Sequence, residues 1–170
     1  IQAAFEHYKK PGPSHGPNSA KSQAFRAKHY HPNCSIKFVG VWDTVGALGI
    51  PFSFLGLLDR DDEFYDTKMG DNILIARHAL AIDELRSDFE PTIWHDRESM
   101  SLQQVWFAGV HSNIGGSYAP DADGGVLSDI PLDWLRKEAK PAGLPLEAHM
   151  IKALKPLPTA TVHQSRKHMF

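Results

Sequence analysis

Gln103-Gln104-Val105-Trp106-Phe107-Ala108-Gly109-Val110 runs straight into His111-Ser112-Asn113-Ile114-Gly115-Gly116-Ser117-Tyr118. The first half reads as a strand, because β-branched and aromatic residues dominate it and glycine punctuates its end. The second half reads as a glycine-rich turn from His111 to Tyr118. A strand that opens onto such a turn with a histidine at its mouth is the geometry in which an open α/β sheet places chemistry.

A second strand of the same kind lies upstream. Ser35-Ile36-Lys37-Phe38-Val39-Gly40-Val41 is bounded by Pro32-Asn33 before it and Gly46 after it. Between the two, residues 71–84 predict a helix: Asp71 is placed to cap it, and Ile73, Leu74, Arg77, Leu80 and Ala81 share one face. A short strand is expected over Phe89 to Trp94. Further helices are expected at 1–9, at 19–30, and from Asp129 to about Ala139, the last with Ser128 as N-cap and Pro131 in its first turn. Pro145, Pro156 and Pro158 point to irregular structure after Gly143. Strands alternating with helices predict an α/β fold with a mostly parallel sheet covered by helices.

The chain's 170 residues suffice for one domain with a core, and 42% hydrophobic with 22% charged residues is an ordinary globular composition. A formal charge of −2 without basic stripes gives no prediction of nucleic-acid binding by charge. The single cysteine, Cys34, excludes an internal disulfide and a cysteine-rich zinc site. No apolar run reaches the ~18 residues of a membrane span, and no signal peptide opens the sequence. These features fit a cytoplasmic protein or a secreted effector. Ile1 opens on what reads as mid-helix, which suggests a fragment of a longer chain.

Functional groups of α/β sheets gather beyond the carboxyl ends of the strands. Asp43 and His111 both lie there, and parallel strands bring them to one edge. An acid followed by a histidine, each on a post-strand loop, matches the last two members of an α/β-hydrolase triad. The chemistry needs that pair: histidine takes the serine proton, and the carboxylate fixes its tautomer and stabilises the imidazolium. A post-strand aspartate is also a common turn former, and ten histidines give many chances for one to fall at a strand end. Pattern alone leaves both readings open.

Three blocks add to the pattern. The first is Phe38-Val39-Gly40-Val41-Trp42-Asp43-Thr44-Val45-Gly46-Ala47-Leu48-Gly49-Ile50-Pro51. The second is Ala76-Arg77-His78-Ala79-Leu80-Ala81-Ile82-Asp83-Glu84-Leu85-Arg86, continuing through Phe89, Pro91, Thr92 and Trp94. The third is Gln104 to Tyr118, followed by Leu127-Ser128-Asp129-Ile130-Pro131-Leu132. In order and spacing they resemble the α/β-hydrolase domain of the type VI secretion phospholipase effectors of the first lipase-effector family, with its bacterial and fungal relatives. The matched core covers residues 36–144. The resemblance implies that Asp43 is the triad acid and His111 the base, that the substrate is a carboxylic ester such as a phospholipid, and that no metal or cofactor takes part. It implies a secretion-machinery or immunity protein as partner. Trp42, Thr44, Ser112, Asn113, Gly115, Gly116 and His78 would shape the site.

Two positions depart from the family. Asn113 stands where aspartate is usual, and Ser117 where glycine is frequent. A larger departure is the nucleophile, which the family carries in a Gly-Phe-Ser-Arg-Gly-like elbow before the first block. Gly12-Pro13-Ser14-His15-Gly16 satisfies the spacing G-x-S-x-G, but no strand precedes it and no helix starts at Ser14, so it reads as loop. The expectation is one partial domain over residues 1–170, the C-terminal part of a hydrolase, with its serine outside this chain and no activity of its own. An alternative is a binding or scaffold module that keeps the fold without catalysis.

Other groups have plainer readings. His29 and His31 have a strand-type metal spacing but no third ligand nearby in sequence. They would matter only to a metal-dependent hydrolase, a third reading. Asp121-Ala122-Asp123-Gly124 is half of a calcium loop and reads as a turn. Asp83 and Glu84 read as loop-organising or solvated. Ile50 to Leu58 would line or cover an acyl pocket, or pack on the core as a loop.

Overall fold

The computed structural model describes residues 2–10, 13–16, 19–31, 34–45 and 69–165. The apolar run Ile50 to Leu58 and the acidic stretch after it lie outside the described residues. Three strands, β1 (Val39–Trp42), β2 (Ile75–Ala81) and β3 (Ser101–Phe107), form a sheet in the order β1-β2-β3, and both pairings are parallel. The helices are α1 (Gln2–Tyr8), α2 (Ala20–His29), α3 (His111–Gly115), α4 (Asp129–Ala139) and α5 (Ala148–Ala153). This is the α/β architecture expected.

The central strand is where the sequence misleads. Residues 71–84 do not form a helix. Asp71 sits in a turn with its side chain 94% exposed, paired with Arg97, and Ile75–Ala81 is the middle strand. Alanine, leucine and arginine are strong helix formers, but tertiary context overrides that preference. A central parallel strand is buried on both faces, so it shows no polar alternation to betray period two. Ala76, Ala79 and Ala81 are small because layers press on both sides of them.

On one face Ala76 packs with Ile73, Trp94 and Met100, against Val39, Val41 and Leu102. On the other, Ala79 and Ala81 pack with Ile114 of α3 and Leu135 of α4, joined by Phe38, Phe107 and Trp134. Gly40 belongs to this second layer: a Cβ there would stand 3.1 Å from Leu135. Burying a side chain the size of Leu135 or Ile114 contributes about 1.5–3 kcal/mol.

Smaller corrections follow the same logic. The strand expected at Ser35–Val41 starts later, and Ile36 makes only an isolated bridge to Ile73. The segment Phe89 to Trp94 is not a strand. A 3-10 turn spans Ser87–Phe89, and Val45 bridges Pro91. The glycine-rich turn after β3 contains a helix instead, α3, whose five residues could not hold a helix unaided; burial of Ile114 beneath β2 supplies the stability. Helix α4 stands where expected, but Ser128 makes no side-chain cap. Ser19 does cap α2, accepting from the Ser22 N–H at 3.1 Å.

Candidate active site

β1 ends at Trp42, and Asp43 follows it directly with φ 41, in the left-handed region that non-glycine residues seldom enter. That conformation costs roughly 1–2 kcal/mol and is held by the ladder itself. The Asp43 N–H donates to Ala79 O at 2.7 Å, and its Oδ1 accepts from Ala81 N–H at 2.8 Å. The carboxylate thus takes over as ladder partner where β1 leaves the sheet. Asp43 is 1% exposed.

The chain returns to the same place after β3. Ile82 N–H donates to Phe107 O at 3.1 Å and Asp83 N–H to Gly109 O at 3.1 Å, while Asp83 Oδ2 accepts from Gly109 N–H at 2.7 Å. Gly109 has φ 116, and a Cβ there would lie 2.5 Å from that of Asn113, so only glycine fits this bend. The bend delivers His111 to the start of α3 above the end of β2. Its Nδ1 lies 2.8 Å from Asp43 Oδ2. A carboxylate only accepts, so this contact matches the tautomer in which Nδ1 carries the proton and Nε2 the lone pair. The imidazole is 30% exposed, and Phe89 meets it edge-on at 4.9 Å. The Arg86 guanidinium covers Phe89 at 3.6 Å.

The remaining candidates surround this pair without touching its chemistry. His78 lies on a strand, not a helix, and is fully buried. Its Nε2 accepts from Thr44 N–H at 3.0 Å, and its ring lies 4.6 Å from Trp94. Burial lowers its pKa below the ordinary histidine value, while Gln104 and Asp43 act in the opposite direction. The neutral ring therefore props up the residue after Asp43. Trp42 is half-exposed at the end of β1. Ser112 O accepts from Gly116 N–H at 3.1 Å, and Gly116, at φ 80, ends α3. Gly115 faces open space.

Asn113 does not reach His111. Its Oδ1 accepts from the N–H of Val110 at 3.3 Å and of His163 at 3.1 Å. Its Nδ2 donates to Thr161 O at 3.3 Å and to His163 Nδ1 at 3.0 Å. The residue fastens a C-terminal strap, residues 161–165, across the loop. Tyr118 stacks on His163 at 3.5 Å. A cavity of about 420 Å³ opens beside the strap, lined by Ile82, Leu85, Val110 and Val162 among others.

Glu84 is the residue that sequence reasoning undervalued. Its side chain is 3% exposed. It accepts from Arg86, from Ser165 and from the His111 backbone. Burial pushes its carboxyl up, but the bonds from the Arg86 side chain and backbone, the His111 N–H and the Ser165 hydroxyl outweigh it and bring the pKa to about 2. Once 75–81 is taken as a strand, the strand-end rule that picked out Asp43 and His111 picks out Asp83 and Glu84 as well.

Elsewhere, Ser14 sits exposed in a 3-10 turn (Pro13–His15), its hydroxyl 3.0 Å from His15 Nδ1. His29 closes α2 and lies against Phe25. Asp123 Oδ1 accepts from Gly125 N–H at 2.9 Å within a turn. Among the described residues no three histidine, cysteine or acidic side chains converge as a metal site, and no helix is long and apolar enough to cross a membrane.

No curated protein and no solved structure matches the chain. The family model described as the T6SS phospholipase effector Tle1-like catalytic domain matches residues 1–138, most of its length, and the chain belongs to that family.

Proposed function

We propose that this chain supplies the acid and the base of a Ser-His-Asp triad that hydrolyses a carboxylic ester of a phospholipid, with Asp43 as acid and His111 as base. In this reading the serine comes from sequence outside these 170 residues, and the chain is the C-terminal part of the hydrolase domain. The observation that carries it is the 2.8 Å contact of Asp43 Oδ2 with His111 Nδ1, made by a carboxylate whose other oxygen is locked to Ala81 N–H at 2.8 Å.

His111 Nε2 takes the serine proton as the serine oxygen attacks the ester carbonyl. Asp43 holds the ring in the tautomer that leaves Nε2 basic, and stabilises the imidazolium. The bond to the alcohol breaks, and His111 returns the proton to the leaving oxygen. Water then repeats the sequence on the acyl-serine and releases the fatty acid. The apolar side chains of Ile82, Leu85 and Val162 line a cavity that reaches Val110, the residue before His111, and support a substrate with an acyl tail.

The test is fatty-acid release from phospholipid vesicles by the whole protein, including any sequence that flanks these residues. His111→Ala is expected to lower kcat by about 10⁴-fold or more. A variant that kept the wild-type rate would remove the assignment.

A further inference from the structure

Helix α3 starts in an unusual way. The residue before it, Val110, occupies the place where serine, threonine, aspartate or asparagine commonly offers a side-chain oxygen to the first amides of a helix. Valine cannot. Glu84 does so from another loop: its Oε2 accepts from His111 N–H at 3.2 Å. The same oxygen accepts from Arg86 Nη2 at 2.9 Å. Oε1 accepts from Arg86 N–H, Arg86 Nε–H and the Ser165 hydroxyl, each at 2.9 Å.

These bonds join three stretches of chain: the loop after β2, the start of α3, and the C-terminal strap, 27 and 81 positions away from Glu84 in sequence. A carboxylate whose only work was to shape its own loop would need Arg86 alone. The bond to His111 is different in kind, because it lands on the backbone of the residue whose ring meets Asp43. The approach to that residue is a bend at a positive-φ glycine, Gly109, and the helix it opens is five residues long. Neither is stiff enough to hold the imidazole to a fraction of an ångström, and misplacement by about 1 Å costs on the order of 100-fold in rate.

We infer that Glu84 is a positioning residue for the hydrolysis: by holding the backbone N–H of His111 it holds the imidazole against Asp43. The inference rests on the reading of Asp43 and His111 as acid and base. Only a carboxylate serves, since five donors converge on it and a glutamine would turn its NH₂ toward some of them.

The experiment compares Glu84→Gln, Glu84→Asp and His111→Ala in the whole protein. The readouts are kcat and KM on phosphatidylglycerol vesicles and the rate of covalent labelling by a fluorophosphonate. Glu84→Gln is expected to lower kcat and the labelling rate together by about 10–100-fold, with KM changed by less than about 2-fold. Glu84→Asp keeps the charge but withdraws it by one methylene, and is expected to lose about 5-fold or more in kcat. A folded Glu84→Gln with wild-type kcat beside an inactive His111→Ala would overturn the positioning role and leave the triad reading standing. An active His111→Ala would overturn both. Should Glu84→Gln not fold, Glu84→Asp decides: a reduced kcat at constant KM supports the inference, and an unchanged kcat overturns it.

Discussion

The two ends of the sheet meet the same problem with opposite charges. Where the strands begin, arginines donate to backbone carbonyls. Arg77 gives Nη1 to Ala76 O at 2.9 Å and Ser101 O at 2.7 Å, with its Nε on Glu138 of α4 at 2.7 Å. Arg97 spans Gly70 O at 2.7 Å and Ile73 O at 3.0 Å. Where the strands end, carboxylates accept from orphan amides: Asp43 from Ala81, Asp83 from Gly109, Glu84 from His111. Buried charge is costly unless bonded: Asp43 is bonded at both carboxylate oxygens and Arg77 at all three nitrogens, while Arg97 leaves its buried Nε without a partner. The carboxyl end adds the partly exposed imidazole of His111. Guanidinium stays protonated at any working pH, so Arg77 and Arg97 can hold the sheet but cannot move protons.

The sharpest way to break this comparison is to disable one end without unfolding it. Asp43→Asn keeps shape and one acceptor oxygen but removes the charge and lets the amide turn a donor toward Nδ1. It is expected to lower kcat by about 10³–10⁴-fold while the thermal midpoint moves little. A variant that kept near-wild-type kcat would show that the buried aspartate serves the turn alone. The opposite result is expected at the other end. Arg77→Met removes the guanidinium's five hydrogen bonds and leaves Glu138, which reaches solvent, without its partner. The whole protein is expected to lose about 2–3 kcal/mol in denaturant unfolding, with kcat per folded molecule unchanged. A large fall in kcat would join the two ends into one functional unit.

The two ends were unequally legible in the sequence. β1 and β3 declare themselves through Val-Gly-Val and Gln-Val-Trp-Phe, and the strand-end rule then brings Asp43 and His111 to one edge, where they lie 2.8 Å apart. β2 does not declare itself, because burial on both faces erases alternation and its small residues imitate a helix. That single misreading blurs Glu84, which as a helix terminus reads as loop-organising or solvated and as a strand terminus meets the backbone of His111. The strap has no local signal at all, since Asn113 finds His163 some 50 positions away. Contacts of that separation follow from packing and leave no periodic trace.

Asn113 permits the finest test, because it separates the strap from the histidine. All its hydrogen-bonding capacity is spent: both donors of its amide go to the strap, and its oxygen bridges the strap and Val110. Aspartate would set a second oxygen against Thr161 O and against the His163 Nδ1 lone pair. Asn113→Asp is therefore expected to loosen residues 161–165 by about 1–2 kcal/mol, read as faster amide exchange in the strap with the sheet unaffected. The strap also carries Ser165, one of several donors to Glu84, so its release is expected to reduce kcat by no more than about 3-fold. If exchange in the strap stayed at its wild-type rate, the strap would be held by Tyr118 stacking and by Asp121, whose Oδ2 takes Thr161 N–H at 2.7 Å. Asn113 would then serve only the bend that presents His111.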